Sequence, residues 1–223
     1  MPQEQTLRSI IDYFRQEIFE PHLNALENKF ANLDSYAANP FLSPYLSRIL
    51  ENEYSANALA KTLYFSRTLS TSINTSFGTH IRKVLVKNNL AQSINSRSNI
   101  ISFTDRTTNL STGCLLKAGP RTINSGDIVG IRRTLDNLND VEHRAIGVIY
   151  GSEEDMNASY QELAKTHNIF LGKDFWHRIT GDETFYGQLS QAMIELSNNL
   201  DIEGQFQMGL ERLTNKVEER YFN

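Results

Sequence analysis

The chain has 223 residues, of which 39% are hydrophobic and 22% are charged, and its net charge is −4. These values are normal for a soluble globular protein. The single cysteine, Cys114, excludes an internal disulfide and a cysteine metal cluster. No run approaches the roughly 20 apolar residues that span a bilayer, and Met1–Gln5 lacks the blocks of a signal peptide. We therefore expect a cytoplasmic protein with no membrane partner.

Basic residues concentrate in the middle of the chain. Between Gly78 and Arg133 there are nine basic and two acidic residues, a net charge of +7, which leaves −11 for the rest. A basic block within an acidic chain is typical of a surface that binds phosphates. A solvated basic face has the same composition, so both interpretations stay open.

The N-terminal part predicts helices. Apolar residues recur at helical spacing over residues 7–19, and Pro21 is expected to open a second helical segment. A turn-rich connector at 39–44 leads into a short helix. Further helices are predicted over 58–69 and from the Thr75–Gly78 segment to about Asn88.

The pattern then changes to alternating strands and helices. Residues 99–104 and 113–117 predict the strands of a hairpin, and Ser125 is expected to cap a helix. The apolar run 145–150 predicts a strand buried on both faces. A helix at 160–165, a short strand at 168–171 and a helical tail from Phe185 follow.

This order predicts one mixed α/β domain over residues 1–223. Within it we expect a mainly helical region at 1–90, an α/β core at 91–180 and C-terminal helices at 181–223.

Lys117 ends the second hairpin strand, just before an Ala-Gly-Pro turn, so its ammonium can project at a sheet edge. Metal-dependent nucleases carry their chemistry on such a hairpin. Carboxylates hold Mg²⁺, which lowers the pKa of the attacking water, and a lysine adds positive charge near the scissile phosphate. A surface lysine at a strand end is the simpler interpretation of the same feature.

Four segments carry a resemblance to a known family: Asn39-Pro-Phe-Leu-Ser-Pro44, Ser72-Ile-Asn-Thr-Ser-Phe-Gly78, Leu116-Lys-Ala-Gly-Pro-Arg-Thr-Ile-Asn124 and Gly172-Lys-Asp-Phe-Trp176. In this order they resemble the PD-(D/E)xK type II restriction endonucleases, in particular the group that cuts GGNCC-like sites. The third segment is similar to that group's catalytic Lys-(Ala/Ser)-Gly-Pro-Asn-Thr stretch.

The resemblance implies a restriction-endonuclease-like mixed central sheet flanked by helices, with a helical N-terminal region. It also implies Mg²⁺-dependent cleavage of double-stranded DNA at a short palindromic site by a homodimer, as part of a restriction-modification system. Lys117 is then the catalytic lysine. The expected contacts with phosphates or guanines come from four arginines, Arg97, Arg121, Arg132 and Arg133.

The motif's acidic positions are not acidic in this sequence. Strand alternation places Leu115 on the face of Lys117, at the position of the second acid. A hairpin register that pairs Thr104 with Gly113 places Asn99 or Ile100 opposite Lys117, so Asn99 takes the position of the first acid. The family's helix acid, counted four residues beyond Gly78, falls on Arg82.

Four other carboxylates can be considered as candidate ligands of Mg²⁺. Asp105 lies at the hairpin turn, on the order of 15–20 Å from Lys117 in this geometry, which is too far. Asp127 is the nearby candidate for Mg²⁺, although a role at a helix N-terminus is favoured for it. Glu51 and Glu53 could reach in from an earlier helix.

Three hypotheses follow. The leading one is an active restriction endonuclease that uses Lys117 and Mg²⁺. The competing one is a DNA-binding pseudonuclease that keeps the fold but lacks the metal-binding carboxylates. The third is an interaction protein with no nucleic-acid role. We expect Cys114 to be buried, and Phe175 and Trp176 to lie in the core.

Overall fold

The structure is a computed structural model that describes residues 2–31, 33, 41–65, 73–94, 99–200 and 202–222. The α-helices are α1 (Pro2–Phe14), α2 (Glu20–Ala31), α3 (Ser43–Glu51), α4 (Ala56–Tyr64), α5 (Ile73–Lys87), α6 (Ile128–Asp136), α7 (Ala158–Ala164), α8 (Lys173–Thr180), α9 (Phe185–Asn198) and α10 (Ile202–Tyr221). The strands are β1 (Gln92–Ser93), β2 (Ile100–Thr104), β3 (Ser111–Lys117), β4 (His143–Val148) and β5 (Asn168–Leu171). In this part of the chain, no helix has the length and apolar character needed to cross a membrane.

The chain divides into two compact units. The first combines Met1–Tyr13 with Phe77–Leu196, and the second combines Phe14–Ser76 with Ser197–Asn223. The first unit contains the sheet, whereas the second is helical and takes residues from both ends of the chain. The predicted mixed α/β fold with a helical N-terminal part is confirmed. One domain over 1–223 stays a prediction.

A five-stranded sheet of order β1-β2-β3-β4-β5 organises the first unit. Strands β1 to β3 are antiparallel neighbours, and β3, β4 and β5 are parallel. Helices α6 and α7 form the two crossovers between the parallel strands. Because these strands run in one direction, their carboxyl ends lie at a single edge, which we call the carboxyl edge.

The predicted hairpin is present, but its predicted register is wrong by two residues. Thr104 pairs with Ser111 instead of Gly113, and Ile100 pairs with Leu115. The turn is tighter than predicted, because Asp105 N donates to Leu110 O at 2.9 Å. β3 therefore begins two residues earlier than predicted.

Apolar side chains cover both faces of the sheet. On one face a single cluster joins the strands to α6 and α7; it includes Ile100, Ile131, Leu135, Ile146, Val148, Tyr160 and Leu163. On the other face the backbone of Gly147 approaches its neighbours closely. A Cβ there would lie 2.6 Å from Cys114 Sγ and 2.7 Å from the Phe175 ring.

Three core predictions are confirmed on this second face. Cys114 is fully buried, and burial raises the pKa of its thiol. Phe175 and Trp176 are also fully buried, and the Trp176 indole donates to Ile149 O at 3.0 Å. Because both rings are buried in the core, neither is accessible for stacking on bases.

The helical predictions differ from the structure at their ends. α2 begins at Glu20, one residue before Pro21, and follows α1 without a break through a π-helical turn at Arg15–Phe19. Pro21 has no N–H to donate, so it cannot make a helical hydrogen bond to the preceding turn. The wider π-helical turn lies directly before this position. α5 already begins at Ile73. Residues 39–40 of the predicted connector and residues 66–69 of the helix predicted over 58–69 lie outside the described residues.

In the second unit, α2, α4 and α10 share an apolar core. The Phe30 and Tyr64 rings stack with centroids 4.4 Å apart. α3 is joined to α4 by a hydroxyl contact of 3.1 Å between Ser47 and Thr62, and by an ion pair of 2.6 Å between Glu51 and Lys61.

Asp105 ties the hairpin turn to α8. Its buried carboxylate accepts hydrogen bonds from Thr107 N at 2.8 Å, Thr107 Oγ1 at 2.7 Å and Arg178 Nη1 at 2.7 Å. Burial alone would raise the pKa of Asp105, but these bonds hold it below its usual value. The guanidinium of Arg178 also covers the Phe170 ring, 4.3 Å from its centroid.

We predict that Asp105→Asn lowers the free energy of unfolding by about 2 kcal/mol at pH 7, because Arg178 loses a buried charged partner. The folded-state pKa of Asp105 is depressed. Its stabilisation is therefore present above the unfolded pKa of about 3.9 and is lost as the pH falls through the folded value. Urea unfolding at neutral and acidic pH should show the difference from wild type shrinking in acid.

The control is Asp140→Asn, at an exposed residue with φ 63°, a conformation that asparagine tolerates. It should unfold like the wild type at both pH values. A loss for Asp105→Asn that does not depend on pH would contradict the assigned role of the carboxylate.

Candidate functional site at the carboxyl edge

Three loops meet at the carboxyl edge of the sheet. The Lys117 loop, residues 117–124, follows β3, while Tyr150–Gly151 follows β4 and Gly172 follows β5. In open sheets with parallel strands, ligands bind outside the carboxyl ends of those strands. The Lys117 loop, which is part of the third segment that resembles restriction endonucleases, therefore lies at the edge where proteins with such sheets bind their ligands.

Hydrogen bonds hold the Lys117 loop in one conformation. Gly119 O accepts from Thr122 Oγ1 at 2.8 Å and from Tyr160 Oη at 3.0 Å. Pro120 is buried, and its carbonyl accepts from Asn157 N at 3.3 Å. Burial raises the pKa of Tyr160 to about 12, so the phenol remains a proton donor at neutral pH. These hydrogen bonds therefore hold the loop, and with it the end of β3, in a fixed position.

A close backbone contact fixes the other two loops. Gly172 N donates to Val148 O at 2.8 Å, and its φ is +50°. A Cβ on Gly172 would lie 2.3 Å from Gly151 O. A side chain would therefore force this backbone contact apart.

The strand residues around Lys117 are aliphatic. Lys117 lies opposite Val148, and Leu115 lies between Ile146 on one side and Ile100 on the other. These residues share the Lys117 face, because directly paired residues point the same way and alternate residues recur on one face. The strands therefore supply no carboxylate beside the lysine.

The Lys117 ammonium is not committed to another group of the described chain. Its side chain is partly exposed, and among the described residues it forms no hydrogen bond or ion pair. A cation without an internal partner at an exposed edge is available to an external anion.

The observed register changes the interpretation of Asn99. Asn99 O accepts from Leu116 N at 2.7 Å, which continues the ladder and places Asn99 opposite Leu116. Leu116 and Lys117 are adjacent in β3 and point to opposite faces. Asn99 therefore does not lie opposite Lys117, where the first acid was expected, and the residue before it lies outside the described residues.

Asp127 takes part in a capping box at the N-terminal side of α6. Asn124 N donates to Asp127 Oδ2 at 3.0 Å, and Gly126 N donates to Asn124 Oδ1 at 2.9 Å. This reciprocal pair forms a capping box before α6. The favoured role of Asp127 at a helix N-terminus is confirmed, but the capping residue is Asn124 instead of the predicted Ser125.

The other carboxylates weighed for the metal have local partners. Glu51 pairs with Lys61 at 2.6 Å, and Glu53 accepts from Ser55 Oγ at 2.6 Å. Arg82, at the family's helix acid position, donates to Ser93 Oγ at 2.7 Å. Asp105 is used by the hairpin turn.

The described donors beside Lys117 do not fit Mg²⁺. That ion takes an octahedron of oxygens and is usually held through one or two carboxylates, whereas the strand side chains here are aliphatic. Across the described residues, no group of three or more His, Cys, Asp or Glu is placed to hold a metal ion.

The basic block is dispersed in the fold. Arg132 pairs with Glu162 at 3.1 Å, and Lys87 lies over the Tyr13 ring, 5.1 Å from its centroid. Arg106 lies in the hairpin turn, before the first residue of β3, whereas Lys117 is the last residue of that strand. Arg106 is therefore at the other end of the strand from the lysine, and Arg132 and Lys87 already have partners in the fold.

Two of the predicted DNA-binding arginines are exposed. Arg121 follows Pro120 in the Lys117 loop and donates through Nε to Asp155 O at 3.2 Å. Arg133 is exposed on α6. Arg97 lies outside the described residues.

Sequence reasoning missed the residues that hold the Lys117 loop. Tyr160 was predicted only as a helix residue, and Asn157 was not considered. One signal was present, since Gly151 and Ser152 directly follow the apolar run that predicts a buried strand, where polar residues reach the carboxyl edge. The hydroxyl contact of Tyr160 with the loop spans 41 residues and has no local signal.

A scan against protein-family models found no match, and a search of the curated proteins found no significant match. The functional assignment therefore depends on the residues themselves.

We predict that Gly172→Ala lowers the free energy of unfolding by about 2–4 kcal/mol, because a Cβ adds backbone strain and meets the Gly151 carbonyl. Gly130→Ala on α6 is the matched control, since a Cβ there meets nothing within 4 Å, and it should be neutral or slightly stabilising. Thermal and urea unfolding measure both variants. Equal stability of the two would contradict the close contact at the carboxyl edge.

Proposed function

We propose that this chain is a restriction-endonuclease-like protein that binds double-stranded DNA at a short palindromic site without requiring a metal ion. The observation that carries the proposal is the environment of Lys117, an uncommitted cation on a rigid loop whose neighbouring strand residues are aliphatic. Such a lysine can bind a phosphate, but its neighbours do not hold Mg²⁺.

Two features support the link to restriction endonucleases. The mixed sheet flanked by helices is the architecture that the resemblance implies. In addition, the Lys-Ala-Gly-Pro stretch forms a fixed loop at the carboxyl edge, where the catalytic lysine of such enzymes would be needed. A cytoplasmic location goes with this proposal.

The proposed DNA contacts begin at the Lys117 loop. Lys117 and Arg121 are four residues apart on this loop and would contact the phosphate backbone, which provides affinity without sequence information. Arg133 is free to reach a base edge, whereas Arg132 would first have to leave Glu162. Because phosphate contacts release counterions, binding should weaken steeply as salt rises.

Metal-dependent cleavage is the second candidate function. It is favoured by the retention of Lys117 at the end of β3, where an active nuclease would use it to stabilise charge on the reacting phosphate. This candidate needs Mg²⁺ ligands from residues other than the strand neighbours of Lys117, with Asp127 as the tentative one. A homodimer would then cut both strands symmetrically.

We predict that the wild-type protein binds a duplex carrying GGNCC-like sites in the presence of EDTA. Lys117→Ala and Arg121→Ala should each weaken binding and lower the slope of log K against log salt by about one, because each removes a phosphate contact. Arg8→Ala, which removes an exposed cation paired with Glu4 on α1, is the matched control and should bind like the wild type. Fluorescence anisotropy over a salt series measures the effect.

A plasmid incubated with the protein and Mg²⁺ or Mn²⁺ separates the two candidates. The proposal expects no cleavage by the wild type, while robust cleavage that is lost in Lys117→Ala would establish the nuclease instead. A flat anisotropy curve at low salt would contradict both and leave an interaction protein with no nucleic-acid role.

A further inference from the structure

Helix α3 in the second unit exposes its large apolar side chains. Phe41 is 88% exposed, Tyr45 65% and Ile49 60%, and these residues follow one another at intervals of four. Leu42, Leu46 and Leu50 are also exposed and form a second row beside them. Residues four apart are neighbours on a helix surface, and Phe41 and Leu42 directly precede α3, with Leu42 O accepting from Leu46 N at 3.0 Å. We call these six exposed side chains the α3 face.

The opposite side of α3 carries the residues that are buried. Ser43 is 5% exposed and Ser47 is fully buried, with its hydroxyl 3.1 Å from that of Thr62 on α4. A helix that packs only within its own chain normally turns its apolar stripe to the core and its polar residues to water. α3 does the reverse, so its sequence is suited to a second partner on the apolar side.

The area of the α3 face exceeds that of scattered surface residues. With roughly 150–200 Å² for each fully exposed side chain, the six residues expose about 600 Å² of mostly apolar surface. The largest apolar patch on an ordinary monomer is about 300–600 Å² and often functional. Two such faces in contact would bury about 1,200 Å², the lower end of stable protein interfaces.

The charge of the α3 face decides which occupant fits. Residues 41–50 contain a single charged residue, Arg48. Nucleic acid needs several cations, and a helix that lies on a membrane has a basic polar face turned to water, whereas the polar side of α3 packs on α4. A second copy of this chain needs no complementary charge, because a two-fold axis brings the same apolar stripe against itself.

We propose that the α3 face is the contact surface of a homodimer in which the α3 helices of two copies pack against each other. The proposal identifies the surface for the dimer that recognition of a palindromic site would use, but it rests on the second unit alone and does not require DNA binding.

The test measures mass in the absence of DNA. Sedimentation equilibrium should give twice the chain mass of 25.4 kDa for the wild type. Ile49→Asp should weaken dimerisation at least about tenfold, because it places an unpaired charge in the contact. Val129→Asp is the matched control, since Val129 is 75% exposed on α6, and it should remain dimeric. Circular dichroism checks that both variants are folded.

Crosslinking locates the contact independently. The native Cys114 is fully buried, so Tyr45→Cys introduces the accessible thiol. A short bis-maleimide should join two chains of Tyr45→Cys but not of Val129→Cys. A monomeric wild type, or an Ile49→Asp variant that dimerises like the wild type, would overturn the proposal. A monomer that sediments with anionic vesicles would assign the α3 face to a lipid surface instead.

Discussion

The pairing of β3 on both of its sides is the constraint on which the first unit depends. β3 is antiparallel to β2 and parallel to β4, so its register fixes at once which residues surround Lys117. A shift of one residue would move every side chain to the other face of the sheet. The buried clusters on both faces oppose such a shift, since it would bring Lys117 into the core and expose Leu116.

This pairing explains why a loop that resembles the one in restriction endonucleases has no carboxylate beside its lysine on the neighbouring described strands. The loop after β3 is fixed by the carbonyl of Gly119 and the phenol of Tyr160, so the end of the strand is held in place. The same strand pairing surrounds the lysine with Leu115 and Val148. A cation that is rigidly presented without carboxylates is suited to bind an anion, whereas hydrolysis through Mg²⁺ needs ligands that these strands do not supply.

Much of the fold could be predicted because its signals are local. The apolar run before Tyr150 and the alternation in the hairpin identified β4, β2 and β3, and Lys117 was correctly placed at a strand end. The register could not be predicted, because it depends on how tightly the turn at Asp105 closes, and that turn is held by Arg178, which is 73 residues away. Because of this error of two residues, Asn99 was predicted opposite Lys117, whereas it lies opposite Leu116. The exposed apolar side of α3 also had no local signal, since its pattern is that of an ordinary core helix.

We propose that the Lys117 face holds no catalytic metal ion. A titration of Mn²⁺ followed by electron paramagnetic resonance tests it most directly, because bound Mn²⁺ loses the sharp signal of the free ion and Mn²⁺ accepts the same oxygen ligands as Mg²⁺. We expect the wild-type signal to rise with added Mn²⁺ as it does in buffer, and the signal of the protein with duplex DNA to rise as it does with the same duplex alone. Stoichiometric loss of that signal in the wild type, abolished by Asp127→Asn in a folded protein, would contradict it.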